Sequence, residues 1–139
     1  ALAQLKDPRA VPHLIDALGD DYFTVRSAAE SAIVETGDTT VVYMLEALGR
    51  KVGGVALPHL VRALGSLVAQ LDTVEARGKR ILTRRALTPL LDDEDAAVRA
   101  FAVEALGKIG GETNKSLLQK KMEDELDEFV LGKYREALR

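Results

Sequence analysis

Five cations are concentrated in the segment EARGKRILTRR (75–85), the strongest candidate for binding chemistry in the sequence. They are Arg77, Lys79, Arg80, Arg84 and Arg85. Guanidinium groups bind carboxylates through paired hydrogen bonds, so the segment predicts contact with an anionic partner. A solvated helix face is the alternative interpretation. Nucleic acid is a third, which the net charge of −3 and the absence of aromatic residues in the segment disfavour.

Catalytic and metal-binding patterns are not recognisable in the sequence. The only histidines, His13 and His59, fall on different predicted helices, whereas a metal site needs three or four convergent ligands. There is no cysteine, and no Ser-His-acid set stands out. The glycine pairs in VGGVA (52–56) and KIGGE (108–112) do not match a phosphate-binding loop and predict turns between helices. We therefore expect no catalytic residue, no metal and no cofactor.

The composition indicates one helical domain, residues 1–139. Hydrophobic residues make up 47% and charged residues 29%, enough to bury a core, while aromatic residues make up only 4%. Leu- and Ala-rich cores of this kind suit closely packed helices. No run of about 18 apolar residues predicts a membrane span. No secretory signal is recognised, and the absence of cysteine favours the cytoplasm.

The sequence repeats itself. ALGDDYFTVRSAAESAIVETG (17–37) aligns without gaps on LLDDEDAAVRAFAVEALGKIG (90–110). In each copy an acidic turn leads to a Val-Arg pair and then to apolar residues at helical spacing. The predicted buried stripes are Val25, Ala28, Ala29, Ala32 and Ile33 in the first copy and Val98, Phe101, Ala102, Ala105 and Leu106 in the second. Gly37 and Gly110 are predicted to end these helices in a positive-φ cap.

Weaker copies extend the pattern to four helix pairs. The second helices are predicted to begin near residues 25, 57, 98 and 130, and the first helices to span 10–18, 41–49, 73–91 and 114–122. The resulting units are 6–37, 38–71, 72–111 and 112–139, with 1–5 as the tail of a preceding helix and Asp7 as a cap. VPHLIDALG (11–19) is thus a first helix and the similar LPHLVRALG (57–65) a second helix. A register that makes both of them first helices is the alternative.

These motifs resemble the HEAT-like repeats of the phycobilisome-lyase type. The resemblance is specific at 7–37 and 90–111, partial at 38–70 and 112–139, and lost near 72–85, where the third unit is too long. It implies an all-α fold, a right-handed α-α superhelix of antiparallel helix pairs, and a function in protein–protein binding. A minority of such proteins are bilin-lyase subunits or diiron hydroxylases. The hydroxylases carry His-Glu pairs, whereas here Ala29 and Val103 precede Glu30 and Glu104.

The acidic turns predict a structural ladder across the repeats. Its members are Asp20, Asp21, Arg26, Asp92, Asp93 and Arg99. Each arginine is expected to reach the acidic turn of its own unit or of the next one. Pro58 and Leu131 occupy the arginine position in the second and fourth units, so the ladder should be interrupted there.

We expect a non-catalytic protein-binding scaffold. The predicted binding surface combines the irregular basic insertion at 72–85, in which Gly78 breaks the helix, with the exposed side of the second helices, including Glu30, Ala100, Val103 and Glu104. The partner is predicted to be a protein with an acidic patch. The alternative is a subunit of a phycobilin-lyase-type complex that binds a phycobiliprotein or a bilin. The opening ALAQL, which lacks a starting Met, suggests a longer array.

Overall fold

The computed structural model describes residues 8–37, 39–50, 54–71, 74 and 76–139. The described residues form eight α-helices and contain no β-strand, which confirms the all-α prediction. The helices are α1 (Val11–Ala17), α2 (Phe23–Glu35), α3 (Thr39–Gly49), α4 (Ala56–Ala69), α5 (Ala76–Leu87), α6 (Ala96–Ile109), α7 (Glu112–Met122) and α8 (Glu128–Ala137). Short 3₁₀ turns, Pro8–Ala10 and Thr88–Asp92, precede α1 and follow α5. The proposed cap Asp7 and the tail 1–5 lie outside the described residues.

The helices pack as four successive pairs whose second members form a continuous stack. Within the pairs, α1 packs on α2, α3 on α4, α5 on α6 and α7 on α8. Along the stack α2 contacts α4, α4 contacts α6 and α6 contacts α8, and the α4–α6 interface is the largest in the described chain. Each pair buries its apolar stripe against its neighbours, as in a solenoid, so stability accumulates from nearest-neighbour contacts.

The centre of the stack is buried on two sides. The stripe of α6 is buried as predicted at Val98, Ala102 and Leu106, but Ala100 and Val103 are also fully buried. The prediction that Ala100 and Val103 border an exposed groove was therefore wrong. Because α6 packs on both α4 and α8, it buries two faces, whereas a single apolar stripe suggests only one.

Two glycines allow the stacked helices to approach each other closely. A Cβ atom on Gly65 of α4 would lie 2.6 Å from the Cα atom of Ala105 in α6. One on Gly107 of α6 would lie 2.6 Å from the Cβ atom of Ala137 in α8. Contacts this short do not occur between real atoms, so the spacing of the stack depends on the missing side chains.

Helix α2, the second helix of the first pair, is less buried than the sequence predicted. Ala29 and Ile33 lie in the core, but Val25 and Ala28 are exposed. Among the described residues α2 packs mainly on α1 and α4, and 38% of the surface of Val25 stays exposed. The apolar residues of α2 therefore have the predicted helical spacing, but only some of them pack against another helix.

The segment 76–87 is a regular helix, and the predicted break at Gly78 was wrong. Buried Ala76, Thr83 and Leu87 hold α5 against the rest of the domain, so packing outweighs the poor helix propensity of glycine. The helix gives way to a 3₁₀ turn around Pro89, because proline has no N–H group to continue the helical hydrogen bonds. Gly37 and Gly110 have φ values of 83° and 75°, as expected for glycines that end helices.

Candidate functional site

The turns before α2, α6 and α8 share one local geometry. The side chains of Asp20, Asp93 and Glu125 each accept a hydrogen bond from the backbone N–H two residues further on, at 2.9, 2.8 and 3.1 Å. Such turns satisfy backbone donors that would otherwise be exposed at a helix start. Asp95 and Asp127 then cap α6 and α8 through their side-chain oxygens. The acidic residues are therefore used locally at the starts of these three helices.

The two arginines of the predicted ladder bind the backbone of these turns. Nη1 of Arg26 donates to the carbonyl oxygens of Asp20 and Asp21, at 2.8 and 3.1 Å. Nη1 of Arg99 donates in the same way to the carbonyls of Asp93 and Glu94, at 2.9 and 3.2 Å. On the turn of its own unit, each arginine thus binds carbonyl oxygens rather than carboxylates.

Arg99 also joins the third unit to the fourth. Its Nε and Nη2 atoms donate to the two carboxylate oxygens of Glu125, at 2.9 and 3.2 Å. Only 20% of the Arg99 side chain and 8% of the Glu125 side chain are exposed, so water screens this pair weakly. The carboxylate of Asp92 is bound instead by Lys121, at 2.8 Å, on the surface.

The Arg99–Glu125 pair shifts the titration of both groups. Burial raises the pKa of Glu125. Hydrogen bonds from Arg99 and from backbone N–H groups lower it, as does the charge of Arg99. These effects outweigh burial, so the pKa of Glu125 lies below its usual value. The hydrogen bond to Glu125 is the main cause that raises the pKa of Arg99. Neighbouring Tyr134 has a pKa of about 12, mainly because it is buried and then because of the charges of Glu125 and Asp92.

A row of charges of alternating sign crosses the stacked second helices. Arg62 of α4 lies between Glu30 of α2, at 3.3 Å, and Glu104 of α6, at 4.0 Å. Glu104 in turn pairs with Lys108 of its own helix at 3.9 Å and with Lys133 of α8 at 3.8 Å. We call these five residues the second-helix row. The predicted site residues Glu30 and Glu104 both belong to it, and the cations between them make the surface less acidic than the sequence suggested.

Arg62 is the residue that sequence reasoning missed. It occupies the position in α4 that Glu30 occupies in α2, so the repeat register itself could have indicated it. Its guanidinium lies 5.5 Å from the centre of the Phe101 ring, and the His59 ring lies 5.8 Å from the same ring. An arginine held over an aromatic ring is a common feature of protein interfaces.

The pKa of His59 is lowered, first by burial and then by the charges of Arg26 and Arg62. Because the folded pKa of His59 lies below the unfolded value of 6.5, protonating His59 costs stability in the folded state, and the fold loses that stability as the pH falls from 6.5 through the folded pKa. Replacing Arg62 with glutamine should raise the pKa of His59. An NMR titration of the His59 ring measures this. Lys108→Gln removes a cation from the same row and should have a smaller effect, and equal shifts would contradict the assignment.

The basic segment forms a separate surface on α5. Arg77 and Arg85 are exposed, while Lys79, Arg80 and Arg84 are partly covered. Arg80 also has a structural role, since its Nη2 donates to the carbonyl oxygen of Leu71. Among the described residues Glu30 and Glu104 pair with Arg62, Lys108 and Lys133, and not with any cation of α5. The structure thus divides the predicted binding residues between two surfaces.

In the part of the chain that the structure describes, no group of three or more His, Cys, Asp and Glu side chains could hold a metal ion. Within the same ranges, no helix is both long enough and apolar enough to cross a membrane.

Comparison with known proteins places the helical repeats in a family. The model of HEAT repeats matches residues 58–139, which are more than half of the chain. The chain belongs to the HEAT repeat family. The model of the phycobilisome-lyase HEAT-like repeat matches residues 1–20 of this HEAT-repeat protein, which confirms the resemblance inferred from the motifs. No curated protein matches it.

Among solved structures, the HEAT-repeat protein is similar to a chain in the complex of CpcE and CpcF of phycocyanin lyase from Nostoc sp. PCC7120. The TM-score is 0.71 at 16% sequence identity, and the match covers 99% of this chain and 85% of that chain. At this identity the likeness establishes a shared fold, an α-helical solenoid, along nearly the whole chain.

Proposed function

We propose that this HEAT-repeat protein is a non-catalytic scaffold that binds another protein through the second-helix row and the basic face of α5. One observation carries the proposal. Charged side chains from α2, α4, α6 and α8 lie side by side in the second-helix row, where Arg62 lies over Phe101, and exposed arginines form a second surface on α5. Arginine and aromatic residues together are typical of protein interfaces.

The chemistry of the row fits a protein partner. The row extends over four helices and contains arginine, lysine and glutamate. The rings of Phe101 and His59 lie beside it. Small-molecule sites are enclosed and mostly apolar, whereas protein interfaces are broad, with arginine and aromatic residues enriched. We propose the cytoplasm as its compartment, because the sequence contains no cysteine.

The basic face of α5 favours a partner with an acidic patch. Exposed ion pairs contribute only about 0.2–1 kcal/mol each, so the contacts must act together, and they should weaken as salt is added. Nucleic acid is disfavoured as the partner because the chain carries a net charge of −3.

Reversing the charge of Arg77, Arg84 and Arg85 to glutamate should release the captured partner. Arg80 is kept because its hydrogen bond to Leu71 supports the fold. Affinity capture from the native host, followed by binding measurements with the purified partner, should show at least about tenfold weaker binding. The matched control reverses three exposed cations elsewhere, Arg50, Lys120 and Arg139, and should leave binding nearly unchanged. Failure to capture any protein with the intact chain, or equal losses in both variants, would refute the proposal.

A second candidate function is a subunit of a phycobilin-lyase-type complex. It is supported by the fold shared with a chain of the CpcE–CpcF complex and by the lyase-type repeat at residues 1–20. In that setting the chain would present a phycobiliprotein or its bilin to a partner subunit. Co-expression with a phycobiliprotein apoprotein and a bilin source tests it, because bilin attachment gives a coloured, fluorescent product. Colour that is independent of this chain would exclude this function.

A further inference from the structure

A small cleft separates the basic face of α5 from the turn that joins α6 to α7. Its volume is about 240 Å³. Arg77, Arg80, Ile81 and Arg84 line one wall, and Ile109, Gly110 and Gly111 line the other. The four residues of α5 have the spacing of a single helix face, so three guanidinium groups point to one side of the helix. The fourth arginine of α5, Arg85, does not line the cleft.

The opposite wall adds backbone donors. Gly110 and Gly111 have φ values of 75° and 93°, and no side chain caps the start of α7. The N–H groups in the first turn of a helix have no acceptor within the helix and favour a negative charge. A Cβ atom on Gly111 would meet nothing within 4 Å, so the approach to these groups is open. Glu112 lines the neighbouring cleft rather than this one.

The cleft carries positive charge, and no carboxylate among the residues that the structure describes pairs with Arg77 or Arg84. Within those ranges the ion pairs involve Arg62, Arg99, Lys108, Lys121, Lys133 and Arg135, and none joins Arg77 or Arg84 to a carboxylate. Nε of Arg80 is buried without a hydrogen bond. Three guanidinium groups close together repel one another, and a bound anion would relieve that repulsion.

We infer that this cleft is the site where an acidic segment of the protein partner inserts its carboxylates, an inference that rests on the proposed scaffold function. Small-molecule sites typically have volumes of about 300–1,000 Å³. The volume of this cleft is smaller, so it fits the ends of side chains. Arginine binds carboxylates in paired geometry. Ile81 and Ile109 also line the cleft, so a segment that combines carboxylates with aliphatic residues is complementary.

A synthetic peptide of alternating leucine and glutamate probes the cleft directly, and its glutamine counterpart is the matched control. In NMR spectra of the intact chain, the glutamate peptide should shift the amide signals of Gly110, Gly111 and Thr113, and the glutamine peptide should not. The Arg77→Gln/Arg84→Gln variant should bind the glutamate peptide about tenfold more weakly, because two charge-assisted contacts are lost. Arg50→Gln/Lys120→Gln, which removes two exposed cations outside both proposed surfaces, should weaken binding less than about twofold.

The alternative results separate this inference from the scaffold proposal. If neither peptide shifts the three amides, or if Arg50→Gln/Lys120→Gln weakens binding as much as Arg77→Gln/Arg84→Gln, the cleft is not the carboxylate site. If inorganic phosphate shifts the amides and the glutamate peptide does not, the ligand carries phosphate and the inference is overturned. In each case a protein captured by the intact chain and released by the triple charge reversal would leave the scaffold proposal standing.

Discussion

Replacing Gly65 with alanine is expected to destabilise the protein by about 1–3 kcal/mol, although alanine is the better helix former. The new Cβ atom would lie 2.6 Å from the Cα atom of Ala105, so α4 and α6 would have to move apart. Both residues are buried at the largest helix interface of the described chain, and backbone cannot yield as a flexible side chain can. Thermal and urea unfolding followed by circular dichroism measure the effect.

Gly78→Ala is the matched control for this substitution. Gly78 also lies inside a helix, α5, but a Cβ atom there would meet nothing within 4 Å. Its replacement should stabilise the protein by about 0.5–1 kcal/mol through helix propensity alone. If Gly65→Ala and Gly78→Ala change the free energy of unfolding in the same direction, the close approach of α4 and α6 is not a property of the folded protein.

Replacing Arg99 with methionine is expected to cost about 2–3 kcal/mol at neutral pH. The change leaves the buried carboxylate of Glu125 without its paired donors and frees the carbonyls of Asp93 and Glu94. Glu125 has a depressed pKa, so the pair stabilises the fold above the unfolded pKa of Glu125, and this stabilisation is lost as the pH falls through the folded value. The difference between variant and wild type should therefore shrink in acid.

Lys121→Met provides the comparison for Arg99→Met. Lys121 pairs with Asp92, but 67% of the Asp92 side chain is exposed, so this variant should lose less than about 1 kcal/mol. Urea unfolding of both variants across acid and neutral pH measures the two effects. Equal losses, or a loss for Arg99→Met that stays constant into acid, would show that Arg99 does not act through a buried charge.

The helices were predictable from the sequence because their signals are local. The stripes of α4, α6 and α8 follow helical spacing, and glycines or acidic turns mark their ends. What the sequence could not supply is the number of neighbours that each helix has. Ala100 and Val103 are buried because α6 has a helix on either side, and Val25 is exposed because α2 lacks one among the described residues. The spacing of apolar residues indicates which face of a helix is apolar. Whether that face is buried depends on the helices that pack against it.

The candidate site was predictable in composition but not in arrangement. The cations of 75–85 were evident, yet adjacent Arg84 and Arg85 differ in whether they line the cleft, which depends on the rotation of α5 against α6 and α7. Arg62 was missed because a lone arginine in LPHLVRALG carries no motif; its importance comes from Glu30 and Glu104, distant in sequence and brought together by stacking. Gly78 failed as a helix breaker because tertiary packing overrides local propensity.

Site-specific photo-crosslinking in the native host tests the central claim, that these two surfaces bind a protein. A photoreactive amino acid is placed at Ile81 among the arginines of α5, at His59 beside the second-helix row, and at Tyr43 on α3 as the control. Ile81 and Tyr43 are matched in exposure, at 38% and 39%. We predict a discrete protein adduct of the same mass increment from positions 81 and 59 and none from position 43. No adduct at 81 and 59, or adducts of equal yield at all three positions, would contradict the proposal.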